Sequence, residues 1–344
     1  MEKVGIGLAG LGFMARIHSR ALAEIPKAEI VAAWSKFPAE HEKFKEFAAG
    51  LGFKVKKFYT EIEEMTNDPD VEAVICAVPP RFMETIASGI LRAGKTALLE
   101  CPPSDTPQGI DRLSELARTK NVRVMPGLCY RFAPCFRKVK DLLDAGEIGN
   151  PISISFTEFV PADSLARQWA PGSWAWNRAT GGPIITMTIF CMDLTRWVLN
   201  SEPASLTAKI DWLELPKYGT WGYRVFNAIK FRNDVVWTNM FASEDSSVPG
   251  PPLRMEITGE SGTIIVDGPE KVILKSGGRV TEYPLKLSRP EKWGHKPEDE
   301  YFLKSVALKG EEPLVKLSDA KKALEMSLAI LKSSQSDSPA YFDS

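Results

Sequence analysis

Apolar residues follow two different rhythms along this chain. In the first third, short continuous apolar runs alternate with stretches of helical spacing. Val4–Ala9, Ile30–Trp34, Val71–Val78, Ala97–Glu100 and Val122–Pro126 are runs suited to strands buried on both faces. Between them, Phe13–Ile25, Ala39–Ala49, Phe82–Ala93 and Gln108–Thr119 carry amphipathic helical periodicity. Gly94 and Gly127 punctuate the pattern, and Asp105-Thr106-Pro107 forms a helix start with proline in the first turn. Strand and helix in regular alternation predict a doubly wound parallel sheet, an α/β Rossmann domain over residues 1–125.

After a helix at about Ala133–Ala145 the rhythm changes. Ile152–Phe159, Leu206–Leu213, Tyr223–Phe231, Val235–Phe241, Arg254–Thr258, Thr263–Val266, Val272–Lys275 and Val280–Tyr283 read as strands joined by short turns. Asn233–Asp234, Gly259–Gly262 and Gly277–Gly278 supply the turn chemistry. A helix over Ile184–Leu199 interrupts them, and helices over Glu298–Leu308 and Asp319–Ser333 follow, with Ser333–Asp337 polar enough to fray. The expectation for residues 126–344 is an α+β domain built on a large, mostly antiparallel, open-faced sheet.

Two segments match the glycine fingerprint of dinucleotide sites. Gly5-Ile6-Gly7-Leu8-Ala9-Gly10 leaves too short a strand before it, whereas Gly10-Leu11-Gly12-Phe13-Met14-Ala15 follows a full strand and opens a helix. In that register Gly10 makes the tight turn, Gly12 admits the pyrophosphate, and Ala15 allows close helix–strand packing. Phe13 and Met14 lie at the helix N-terminus, whose free N–H groups suit an anion. Pro79 and Glu100, at the carboxyl ends of later strands, complete the candidate cofactor set. An NAD site places an acid at the end of the second strand; here that strand ends in Ser35-Lys36, with no acid until Glu40. A hydroxyl beside an ammonium suits a 2′-phosphate, so NADP is expected ahead of NAD.

Composition narrows the partners. The 344 residues carry 43 basic and 44 acidic side chains, interspersed, which gives nucleic acid or an acidic membrane no electrostatic footing. No run approaches the ~20 apolar residues of a membrane span, and the N-terminus is not a signal peptide. Five cysteines without C-x-x-C spacing read as thiols of a reducing, cytoplasmic setting. Three scattered histidines make a metal site unexpected.

These landmarks together resemble the glucose–fructose oxidoreductase / inositol dehydrogenase / rhizopine catabolism (Gfo/Idh/MocA) family, over nearly the whole chain. The resemblance rests on Gly10–Ala15 followed by His18, on Ala93–Pro103, Cys129–Phe132 and Gly146–Gly149, on Gly181–Leu199, and on Thr258–Asp267. It implies hydride transfer between a nicotinamide and a sugar, cyclitol or related small molecule, and a homo-oligomer formed through the C-terminal sheet. It also exposes departures. The family usually has Glu-Lys-Pro after the fifth strand, and an Asp and a His four residues apart in the later helix. This chain has Glu100-Cys101-Pro102, and alignment on Asp193 and Arg196-Trp197 sets Thr186 and Phe190 at the other two places. A thiol with an ordinary pKa near ~8.5 is mostly protonated at neutral pH, and neither Thr nor Phe accepts a proton. A general base contributes on the order of 10²–10⁴-fold, so ordinary polyol oxidation is in question.

Tyr130, beyond the sixth strand, is a candidate proton donor, with packing as its alternative. Arg131 beside it, and Arg167, Trp169, Trp176 and Arg178, are candidate substrate contacts for a flat ligand carrying an anionic group; the alternative is a domain-closing or subunit-contact loop. Cys101 and Cys129 end neighbouring strands, as inert thiols or as a redox pair. The leading reading is an NADP-dependent oxidoreductase with a divergent, more apolar site, acting on a small carbonyl, alcohol or aromatic-type substrate. A non-catalytic dinucleotide-binding regulator is the rival. A third reading is an ordinary polyol dehydrogenase with a relocated base; Lys36 is one candidate, and Lys95 belongs at the sheet's wrong end.

Overall fold

The computed structural model describes residues 3–169, 173–177, 182–244 and 253–343. The chain divides into two compact units, Met1–Phe132 with Arg289–Lys322, and Ala133–Ser288 with Ala323–Ser344. The hydrophobic pattern suggested a single cut near residue 125. The compact units are divided differently, because Arg289–Lys322 pack with the first unit.

In the first unit the strands β1 (Val4–Ala9), β2 (Ala28–Trp34), β3 (Lys57–Tyr59), β4 (Ala73–Cys76), β5 (Thr96–Glu100) and β6 (Val124–Gly127) form a parallel sheet ordered β3-β2-β1-β4-β5-β6. The order reverses between β1 and β4, which creates the crevice where such sheets bind ligands. Five helices connect the strands: α1 (Phe13–Ala23), α2 (Pro38–Gly50), α3 (Ile62–Asn67), α4 (Pro80–Arg92) and α5 (Pro107–Lys120). The start of α5 is as expected, with Thr106 Oγ1 accepting from the Gly109 amide at 3.2 Å and Pro107 in the first turn. Ile6, Leu8, Ile75, Leu98 and Leu99 are fully buried, as strands covered on both faces require. β3 and α3 were not foreseen; β3 spans three residues and begins on an exposed lysine, so it carries no apolar run.

The second unit contains α6 (Pro134–Asp144), β7 (Pro151–Phe159), α7 (Ala162–Gln168), α8 (Gly182–Leu199) and the strands β8 (Pro203–Leu215), β9 (Thr220–Phe231), β10 (Val236–Ser243), β11 (Leu253–Gly259), β12 (Gly262–Asp267), β13 (Lys271–Ser276) and β14 (Arg279–Pro284). With β15 (Ala340–Tyr341), the described strands form one nine-stranded sheet, antiparallel except where β10 runs parallel to β7. Alternation of burial sets its two faces. Val225, Asn227 and Ile229 of β9 are buried, while Phe226, Ala228 and Lys230 between them are exposed. On the covered face Phe156 meets Phe136 of α6 and its strand neighbours Trp237 and Phe241.

The returning segment of the first unit comprises α9 (Arg289–Lys292) and α10 (His295–Tyr301), which leads into a π-helical stretch, Phe302–Leu308. Finally α11 (Leu317–Ser336) runs past the point of expected fraying. Ser333 is buried because its hydroxyl accepts from the Ala208 amide at 3.0 Å and donates to the Ser338 carbonyl at 2.7 Å. No helix among the described residues is long and apolar enough to cross a membrane.

Candidate dinucleotide and catalytic site

The turn from β1 into α1 separates the two glycine registers physically. Gly5 and Gly7 lie inside β1, and a Cβ at Gly5 would stand 1.9 Å from the Asp70 carbonyl oxygen. That glycine therefore serves strand packing. Gly10 sits at φ +91°, where a Cβ would meet the Ala77 carbonyl oxygen at 2.5 Å, so the tight turn excludes any side chain. At Gly12, by contrast, an added Cβ would find nothing within 4 Å. α1 starts immediately after it, with no side-chain cap and no acidic residue in its first turn. The amides of Phe13, Met14 and Ala15 have no carbonyl to bond inside the helix, so this open cradle is polarised for an anion. Ala15 is fully buried and Phe13 exposed. A dinucleotide's pyrophosphate fits such a place.

At the end of β2, Ser35 is buried and Lys36 exposed. The Ser35 hydroxyl donates to a carboxylate oxygen of Glu40, in the first turn of α2, and the His41 ring bonds the Ser35 carbonyl at 3.0 Å. The sequence showed Glu40 as the first acid after the strand; the turn into α2 brings it back to Ser35. Pro79 immediately precedes α4 at the carboxyl end of β4.

The end of β5 carries the densest chemistry. The Glu100 carboxylate accepts from the following Cys101 amide at 3.2 Å through Oε2, and its Oε1 lies 2.8 Å from His18 Nε2. The other His18 nitrogen, Nδ1, lies 2.8 Å from Asp299 Oδ1. Burial alone would lower the imidazole's proton affinity, but the charges and hydrogen bonds of Asp299 and Glu100 outweigh it and hold it well above the usual value. Burial would raise Glu100, yet the His18 bond and charge hold it below the ordinary carboxylate range. Around this bridge, burial and the Glu100 charge push Glu298 well up, burial pushes Asp299 up, and burial pushes His295 down to about 4. The His295 ring meets His18 edge-on at 5.9 Å. Sequence reading used His18 only as a landmark and missed the cluster. Its one signal was the acidic run from Glu298 to Glu300 close behind His295.

The other candidates are dispersed. Tyr130 is buried in a 3₁₀ turn after β6 and stacks on Trp293 at 6.0 Å. Arg131 is buried beside it and pairs with Asp319 at 3.2 Å. Lys95 bonds the Val71 carbonyl at 2.6 Å, at the amino end of β4 and β5, the wrong end for chemistry. In the second unit, Thr186 and Phe190 lie on α8, and the Thr186 hydroxyl donates to the Pro183 carbonyl at 3.1 Å within that helix. Arg167 pairs with Asp163 at 2.5 Å, one turn away on α7. Trp169 and Trp176 pack edge to face, with Trp176 Nε1 donating to the Trp169 carbonyl at 3.0 Å. Arg178 lies outside the described residues.

A doubly wound sheet with this strand order, turn and open glycine has the form of a dinucleotide-binding domain. Comparison with known proteins agrees. Residues 4–128 match the oxidoreductase family with an NAD-binding Rossmann fold, and residues 136–265 match the GFO/IDH/MocA C-terminal domain; the chain belongs to the GFO/IDH/MocA family of oxidoreductases. It is 27% identical to a myo-inositol 2-dehydrogenase of Thermotoga maritima over 335 residues, covering 95% of each chain. A crystal structure of a probable dehydrogenase from Thermotoga maritima superposes with a TM-score of 0.80 at 25% identity, covering 98% of each chain. Scyllo-inositol dehydrogenase from Lactobacillus casei, solved with NAD(H) and scyllo-inositol, shares the fold with a TM-score of 0.79 at 21% identity, covering 99% of each chain.

Proposed function

We propose that this chain transfers hydride between NADP and a small alcohol or carbonyl compound, in a site whose acid–base groups differ from the family's usual set. The observation that carries the cofactor reading is the open cradle at Gly12 in front of an uncapped, acid-free helix N-terminus. Bound there, a nicotinamide supplies or accepts the hydride. The chain's own residues do the rest: Gly10, Gly12 and the amides of Phe13–Ala15 hold the pyrophosphate, and Pro79 and Glu100 border the reacting end. Lys36, exposed beside Ser35, supports the 2′-phosphate form. One observation favours NAD as a second reading, since the Glu40 carboxylate already holds the Ser35 hydroxyl and would repel a phosphate.

The chemistry turns on Cys101, which follows Glu100 where the family resemblance sets a lysine. Thr186 directs its hydroxyl proton to its own helix, and Phe190 carries no titratable group. Tyr130 is a candidate proton donor near this sheet edge, and Arg167, Trp169, Trp176 and Arg178 remain candidate substrate contacts. Substrates that need little enzyme-borne base suit this set better than the cyclic polyols of the relatives. The exposed Phe226 and Val236 on the outer face of the second unit's sheet support a homo-oligomer formed there. Five cysteines without C-x-x-C spacing support a reducing, cytoplasmic setting. Fluorescence titration tests the cofactor: NADPH is expected to bind more tightly than NADH, and Lys36→Ala to erase the difference. Preference for NADH, reversed by Glu40→Gln, selects the second reading. On the substrate side, turnover of myo-inositol at about 1 s⁻¹ or faster would reject the divergent site.

A further inference from the structure

The buried bridge through His18 is larger than a dinucleotide cradle needs. Its three members come from α1, the end of β5 and α10, and all are at least nine-tenths buried. A neutral imidazole has one N–H, yet both His18 nitrogens face carboxylate oxygens at 2.8 Å. Two hydrogen bonds therefore require two protons shared among Asp299, His18 and Glu100, leaving a net charge of −1 wherever the inner proton rides. Removing one proton replaces a hydrogen bond by two facing lone pairs in a low-dielectric place. The second Glu100 oxygen holds the Cys101 amide, so the state of the bridge reaches the backbone after β5.

Other charges near this place do not relieve it. On α10, both Glu298 oxygens, Asp299 Oδ2 and His295 Nδ1 have no hydrogen-bond partner. At the rim Lys296 is taken by Glu24, just after α1, at 2.9 Å and by Glu291 of α9 at 3.3 Å. On β2, which also packs against α1, Glu29 pairs with Lys56.

We propose that His18 is a positioning residue for the dinucleotide site: by bridging Glu100 and Asp299 it fixes the backbone after β5 relative to α1, and dinucleotide affinity follows the integrity of that bridge. This rests on the reading that the carboxyl edge of this sheet takes the dinucleotide. α1 presents the pyrophosphate end and the Glu100–Pro102 loop the nicotinamide end, so a bond between the two elements holds both halves of the cradle in place before binding. The imidazole's raised proton affinity sets the sign: the bridge is complete below the ordinary histidine value and is lost as pH rises through the raised one.

The test reads hydrogen exchange at the Cys101 amide and NADPH titration in wild type and His18→Gln, from about pH 6 to about pH 9.5. In wild type, protection and affinity should decline together as pH rises. The neutral variant should bind about tenfold or more weakly, as expected for a lost charge-assisted bond, with fast Cys101 exchange and no pH dependence. A folded His18→Gln protein with wild-type affinity and pH profile overturns the proposal. If that variant does not fold, Asp299→Asn keeps the ring and its Glu100 bond, and should move the pH midpoint downward; an unmoved midpoint also overturns it. Should wild type bind no dinucleotide at any pH, the oxidoreductase reading fails separately. The Cys101 exchange profile then still decides the positioning claim, and a flat profile rejects it.

Discussion

Each unit fastens a helix to its sheet with buried polar groups, but by different chemistry. In the first, His18 of α1 is tied by charge to Glu100 of β5 and Asp299 of α10. In the second, the thiol of Cys191 on α8 donates to Asn239 Oδ1 of β10 at 3.3 Å. The same oxygen accepts from Trp237 Nε1 at 2.5 Å, and Asn239 Nδ2 donates to Asn227 Oδ1 of β9 at 2.6 Å. Burial pushes the Cys191 thiol well up, so it stays a neutral donor. The helix proposed to carry the dinucleotide cradle is thus held by charged groups, and the helix carrying Thr186 and Phe190 by groups that stay neutral. Equal burial gives one unit a pH-dependent fastening and the other a fixed one.

The largest effect that would break this contrast is expected at Asp299. Truncating one member of a buried charged bridge costs about 3–5 kcal/mol, here through the lost His18 Nδ1 bond and the space left by a fully buried side chain, since Glu100 still pairs with the ring. Asp299→Ala should lose that much in urea unfolding at neutral pH. A loss under about 1 kcal/mol would mean the charges are solvated and the comparison is false.

The two fastenings also differ in how visible they are from sequence. The cradle is local: Gly10, Gly12 and Ala15 sit within one turn, and strand-then-helix periodicity around them fixes their register. α8 is similarly legible, because it is apolar almost all round. The charged bridge is not, since His18 meets Glu100 and Asp299 across separations of 82 and 281 residues. No periodicity reports contacts at that range. Arg289–Lys322 read as a tail of the second domain for the same reason. Glu40 lies only five residues from Ser35, yet its return depended on the turn into α2, which spacing alone does not encode.

The contrast sharpens in acid. Burial holds His295 down to about 4, against an ordinary 6.5, so the folded protein binds fewer protons there than the unfolded chain. Its contribution to stability is complete above 6.5 and is lost as pH falls toward 4. The raised carboxyls Glu298 and Asp299 act in the opposite direction, since their contribution is lost as pH rises. A difference between two proteins isolates the histidine. Between about pH 7 and pH 4, wild type should lose roughly 3 kcal/mol more than His295→Gln. Parallel pH curves for the two would mean that His295 is solvated in the folded state.

The smallest effect belongs to the neutral network, and its shape matters more than its size. Asn239→Ala removes the acceptor shared by Trp237 and Cys191 and the donor to Asn227. Buried polar groups left without partners cost about 1–3 kcal/mol in all where neighbours relax to share them. No member of the network changes charge between about pH 5 and pH 8, because burial moves the one titratable group, the Cys191 thiol, further from that range. The stability curve of Asn239→Ala should therefore lie below that of wild type by a constant amount across this range. The Asp299→Ala curve should instead approach and diverge from wild type as the bridge gains and loses its proton. A loss at Asn239 that varied with pH by more than about 1 kcal/mol would tie the network to Glu158, whose buried carboxylate on β7 bears electrostatically on both Cys191 and Tyr223. The second unit would then have a titrating fastening of its own, and the division between the two units would disappear.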